Sequence, residues 1–99
     1  MSWTETSDAT EFAARVREAQ LCADHDGRLI IWVIYEKPLD HLAHWVVRGQ
    51  EPGPGGQIIL HQFCFCARTL TEARAAVPCG LVRMARHPKD DPCIVEVWI

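Results

Sequence analysis

The chain has no apolar run approaching the roughly 20 residues that a membrane-spanning helix needs. It also lacks internal repeats, low-complexity tracts and any Pro/Gly/Ser stretch long enough to link two domains. Its first residues, Met1-Ser-Trp-Thr-Glu-Thr-Ser-Asp8, contain neither the basic stretch nor the apolar core of a secretion signal, so the expectation is a cytoplasmic protein with no membrane partner. An excess of positive charge is missing too. Ten Lys+Arg against thirteen Asp+Glu leave a net charge of -3, the wrong sign for a protein that neutralises a phosphate backbone, and nucleic acid is not expected as a partner. At 99 residues there is room for one domain and one core, which excludes a two-domain enzyme.

What is present is an ordinary globular composition, 48% hydrophobic and 23% charged, which argues against disorder or a long coiled coil. The charge is uneven: residues 1–26 carry six acids against two arginines, whereas residues 27–99 carry eight bases against seven acids. Five cysteines, an odd number in a chain without an export signal, read as reduced thiols. Cys64, Cys66 and Cys93 lie inside apolar runs, where a thiol packs as a small hydrophobe.

Residues 8–23 read as a helix with Asp8 as N-cap and Ala9, Phe12, Ala13, Val16, Ala19 and Ala23 on one narrow, alanine-rich face. Such a face docks weakly, so this helix is expected to be a marginally packed arm or a surface completed by a second subunit. Asp26-Gly27 stops it. Residues 28–36, β-branched and aromatic throughout, read as a central strand apolar on both faces. Pro38 and Asp40 break that run, and further strands are expected at 42–48 and 57–67 around the connection Glu51-Pro-Gly-Pro-Gly-Gly56. Thr69-Leu-Thr-Glu72 is a capping box opening a short helix that ends at Pro78. Leu81 to Arg86 and Cys93 to Ile99 complete the pattern as short strands on either side of a charged turn from Pro88 to Pro92. The expected architecture is α+β. An N-terminal helix, a three-stranded antiparallel meander, a short helix and two further short strands (α-β-β-β-α-β-β) place a single layer of helices on a mostly antiparallel sheet. One domain, 1–99, then consists of an acidic helical segment, 1–26, and a sheet body, 27–99.

Each chemical motif has a plainer competitor. Cys64-Phe65-Cys66 suggests half a zinc site, but residues i and i+2 of a strand lie roughly 6.6 Å apart and no C-x2-C partner exists, so core packing is preferred. His41 and His44 are separated by three positions, which puts them on opposite faces of a strand. His61 falls in line with Ile59 and Phe63 and reads as a hydrogen-bonded histidine at the core edge. Nucleophilic catalysis would need Cys64 or Cys66 beside His44 or His61, and no spacing selects such a pair. Cys79 follows a helix end, where the dipole raises a thiol pKa. Glu36, Asp40, Asp90 and Asp91 are explained by turns and edges. The glycine-rich connection lacks the Lys-Ser/Thr and the helix of a phosphate loop. Arg83, Arg86, His87 and Lys89 form a basic cluster that Arg48 joins across the sheet, suited to an anion or to an acidic helix, or to a solvated edge strand. Among four tryptophans, Trp32 and Trp98 belong to the most apolar strands, while Trp45 and Trp3 are candidates for an edge or interface.

At Ile34-Tyr-Glu-Lys-Pro-Leu-Asp40, Trp45-Val-Val-Arg48, Leu81-Val-Arg-Met84 and Asp90-Asp-Pro-Cys-Ile-Val-Glu-Val-Trp98 the chain resembles a family of small uncharacterised bacterial proteins of about this length. The resemblance covers residues 30–99 and omits the first helix. It implies a single-domain bacterial cytosolic protein and brings no activity with it. The favoured expectation is a non-catalytic binding or protein-interaction module, acting through self-association or an unknown protein partner and needing no cofactor, metal or catalytic residue. Its candidate ligand or interface residues are Trp45, Arg48, His44, His61, Arg83 and Arg86. The alternatives are a small enzyme or ligand-binding protein with its site on the face formed by strands 42–48 and 57–67, and a structural zinc domain.

Overall fold

The computed structural model describes residues 4–36, 44–84 and 93–99. Trp3, the break at Pro38 and Asp40, His41, the start of the second expected strand, the 88–92 turn, and Arg86, His87 and Lys89 of the basic cluster lie outside the described residues. The elements run β1 (Thr4–Thr6), α1 (Ala9–Asp26), β2 (Ile31–Glu36), β3 (Trp45–Pro52), a helical turn at Pro54–Gly56, β4 (Ile58–Ala67), α2 (Leu70–Ala76), β5 (Arg83–Met84) and β6 (Ile94–Trp98). The strands make one six-stranded sheet in the order β1-β4-β3-β2-β6-β5. Every pairing is antiparallel except that of β1 with β4, so the chain is α+β as the sequence implies.

Local chemistry sets the helix ends. The Asp8 carboxylate accepts hydrogen bonds from the Thr10 and Glu11 amides, satisfying two donors that α1 itself leaves unpaired. Gly27, at φ 70°, adopts the left-handed conformation that closes a helix, and its N–H bonds back to Asp24 O; the helix therefore runs three residues beyond the expected end at Ala23. Thr69 caps α2 by accepting from the Glu72 amide.

Both helices lie on one face of the sheet. Strand alternation sends Trp32, Ile34, Val47, Phe65 and Ala67 to that face, where they meet Phe12, Val16 and Ala23 of α1 and Ala73 of α2 in the main core cluster. Phe12 is its pivot. The ring stacks on Phe65 at 5.3 Å and on Phe63 at 5.8 Å and meets Trp32 edge-on at 6.4 Å. The opposite face carries a smaller cluster of Val46, Cys64 and Cys66 with Tyr35 packed against it.

Further features depart from the expectation: β2 starts at Ile31, not at residue 28, and within the described part of 81–86 only Arg83–Met84 is strand. Thr4–Thr6 forms an edge strand, and β3 continues through Gly49 to Pro52 instead of ending at Arg48. A register shift lets this extension follow β4: Arg48 pairs with Cys64 but Gln50 pairs with Leu60, so residues 61–63 oppose Gly49 alone.

One buried charge ties α2 to β6. Glu96, 5% exposed, receives the Arg74 Nε–H at 2.8 and 3.1 Å and an Arg74 Nη2 donor, and also the Trp98 Nε1–H at 3.2 Å. Arg83 stands 3.6 Å away. Burial pushes the Glu96 carboxyl up, but the hydrogen bonds from Arg74 and Trp98 outweigh it and hold the pKa below the ordinary value. With a depressed folded pKa, the carboxylate adds stability above the ordinary carboxyl range, and this is lost as pH falls through the lowered value. Glu96→Ala is expected to destabilise the fold by roughly 1–3 kcal/mol in urea titrations at neutral pH. Arg74→Ala leaves burial dominant and lifts the folded pKa above the ordinary value, so the contribution of this carboxyl reverses sign. Its share of the acid limb disappears, and stability instead falls as pH rises through the carboxyl range. An unchanged acid limb contradicts this account.

Candidate functional site

Because α1 buries only Phe12, Val16 and Ala23 fully, it leaves part of the helix-covered face open. The gap is an open groove of ≈ 490 Å³ lined by Phe12, Arg15, Val16, Glu18, Ala19 and Cys22 of α1, by Trp32 of β2, and by His61, Gln62 and Phe63 of β4. That volume lies within the range of about 300–1,000 Å³ typical of ligand sites. Phe12, Trp32 and Phe63 give its wall three aromatic rings. The Arg15 guanidinium stands over the Phe63 ring at 4.6 Å, placing a cation at an apolar surface. The Trp32 indole N–H is taken by Gln20 Oε1 at 3.1 Å, so the ring offers the groove its apolar body.

His61 forms one end. Its ring meets Trp32 edge-on at 5.7 Å, and its Nε2 lies 2.7 Å from Glu51 Oε2. A carboxylate only accepts, so His61 carries a proton on Nε2 and donates it there. Glu51 also pairs with Arg28. Burial pushes the Glu51 carboxyl up, but the hydrogen bonds from His61 and Arg28 prevail and lower its pKa. The other side of the imidazole rests on Gly49: a Cβ there would stand 2.5 Å from His61 Nδ1 and 2.8 Å from Cε1. Gly49 is therefore the residue that leaves room for the Nδ1 side of the ring against β3, and the close approach explains why a strand tolerates glycine at this point. With Nε2 given to Glu51 and Nδ1 laid against β3, the imidazole is a fixed wall and donor rather than a base aimed at a substrate.

The candidates read from the sequence do not converge. His61 and Trp45 are on the helix-covered face, Trp45 packing against the core cluster in register with Glu36 and Ala67. Arg48 is on the opposite face, its guanidinium 5.7 Å from the Tyr35 ring centre and in register with Cys64. His44 is half-buried just before β3, Arg83 sits on the edge strand β5 beside Glu96, and Arg86 is outside the described residues. Thus the arrangement of His61 with Arg48 and Cys64 on one face does not form. Burial raises the Cys64 thiol, and burial together with neighbouring Cys64 pushes Cys66 up to about 11, so neither is a thiolate at neutral pH. Among the described residues no group of three or more His, Cys, Asp or Glu is placed to hold a metal ion, and no helix is long and apolar enough to cross a membrane.

Sequence reasoning singled out His61 but not the groove around it. Phe12, Arg15, Ala19 and Cys22 recur at helical spacing on α1, which was the legible half of the signal. The other half, Gly49 beneath His61, depends on a pairing across strands. No family model, no curated protein and no solved structure matches the chain.

Gly49→Ala is expected to destabilise the protein by roughly 1–3 kcal/mol through overpacking against His61. In a His61→Ala background the same change should cost less than half as much, a coupling of about 1 kcal/mol in a double-mutant cycle of urea titrations. Additive effects would show that the contact does not constrain the strand.

Proposed function

We propose that the protein is a non-catalytic binding module that holds a small ligand with an aromatic or apolar body and an anionic end in the groove between α1 and β4. The observation that carries this reading is the composition of the groove. Phe12, Val16, Ala19, Trp32 and Phe63 supply an apolar bed; Arg15 is the cation at its surface, held over Phe63, and Glu18 is the lining carboxylate that an anionic end must avoid. Burial of an aromatic body against such a bed supplies affinity, and the guanidinium supplies orientation through a charge-assisted hydrogen bond. The bacterial family resembled over residues 30–99 and a cytoplasmic location belong to the same proposal.

The alternative of a small enzyme on this surface is less well supported, because the His61 donor is committed to Glu51 and both buried thiols are on the other face. The test is an NMR titration of the intact chain with indole-3-acetate and benzoate, with neutral indole as the uncharged probe. Saturable shifts confined to Phe12, Ala19, Trp32, His61 and Phe63 are expected. Arg15→Gln should weaken the carboxylates by roughly tenfold while sparing indole, and Ala19→Phe should fill the groove and abolish both. Shifts concentrated on the opposite face, or none that saturate, would overturn the reading.

A further inference from the structure

The face of the sheet opposite the helices concentrates exposed apolar side chains. Among the described residues eight large hydrophobics are exposed, and six of them, Leu29, Ile58, Leu60, Val82, Met84 and Ile99, belong to this face. The pairings join them. Val82 and Ile99 exchange backbone hydrogen bonds of 2.9 and 3.0 Å. Continuing the Trp32–Trp98 register puts Ile99 beside Ile31, which pairs with Gln50, which pairs with Leu60. A row Val82–Ile99–Ile31–Gln50–Leu60 therefore crosses five strands, with Met84 on one flank and Leu29, Pro52 and Ile58 on the other. Its polar member is occupied, since Gln50 Nε2 donates to the Tyr35 hydroxyl at 2.6 Å.

We infer that this face is the interface of a homodimer, in which two copies pack sheet on sheet with their helix layers outward. Size and chemistry favour a second copy. The six side chains, 37% to 65% exposed, present on the order of 500 Å² of apolar surface, in the upper part of the range for the largest patch on a monomer, where such patches are often functional. With the half-covered Ile31 and Val97 between them, the face approaches the ~800 Å² per partner of a standard interface. No charged side chain lies in the row or in the Leu29–Pro52–Ile58 flank; among the described residues the charges on this face, Arg48 and Glu5, stand one rung further along, in register with Val33 and Cys64. An uncharged row does fit itself. A two-fold axis near Ile31 lays Val82 of each copy over Leu60 of the other and Ile99 over Gln50, an isologous contact at the spacing of about 10 Å usual for stacked sheets.

Sedimentation of the intact chain across a concentration series tests this. The wild type should pass from monomer to dimer, and Leu60→Lys and Val82→Lys should each weaken the dimer on the order of 100-fold by burying an unpaired charge against the apolar face of the other copy. Leu21→Lys, at an exposed position on α1, should leave it unchanged. Thermal melting of each variant checks that it is folded, with Met84→Lys as the substitute should one fail. A wild type that stays monomeric at millimolar concentration overturns the inference, as does a dimer that tolerates lysine at both Leu60 and Val82. The groove reading does not depend on this outcome, because the groove opens on the other face.

Discussion

The seating of the Phe12 ring is the interaction on which the remaining structure depends. It is the largest side chain that α1 buries, and it touches Trp32, Phe63 and Phe65 from two different strands. Val16 and the small Ala23 add little area beside it. Without that ring, an alanine-rich, acidic helix would have scant reason to stay on the sheet, because helix stability in proteins derives mostly from packing of an apolar face. The same economy of contact leaves the groove. A helix anchored at Phe12 and Val16, with Ala19 following, does not fill the space in front of His61 and Phe63.

The sheet divides its work between two faces. On the helix-covered face, bulk is aromatic and polar groups are paired: Trp32 with Gln20, His61 with Glu51, Glu96 with Arg74 and Trp98. On the other face, Val33, Val46, Cys64 and Cys66 are buried toward the middle of the sheet, and the end carrying Ile58, Leu60, Val82 and Ile99 is exposed. Strand alternation creates this division from continuous apolar runs such as Ile31–Glu36, which supply side chains to both faces at once. The buried thiols follow from the same geometry. Raised pKa values and neighbours such as Val46 make Cys64 and Cys66 packing groups, not reagents.

What could be read from the sequence was what local chemistry decides. The Asp8 and Thr69 caps, the Gly27 stop and the apolar run of β2 each depend on neighbours a few residues away, and each lies where the pattern implies, within a few residues at the helix end. What could not be read depends on pairings distant in the chain. Thr4-Glu-Thr6 is too short and polar to announce a strand, and it becomes one because β4 offers an edge. Gly49 to Pro52 looks like a loop until His61 explains the glycine. Arg74 and Glu96 stand 22 positions apart and meet because β6 is inserted beside β2. The strand period does separate His61 from Cys64 and Arg48, so the division of the candidates between two faces was implicit in their numbering.

The most direct measurement is amide hydrogen exchange on Phe12→Ala beside the wild type. If the aromatic seat holds α1 in place, the variant loses roughly 3–5 kcal/mol of stability. Protection along Ala9–Asp26 then collapses toward that of a free helix, while β2, β3 and β4 stay protected and Trp32 fluorescence shifts to the red. Unchanged protection of α1 would contradict the account, and so would its loss together with the whole sheet in a single step.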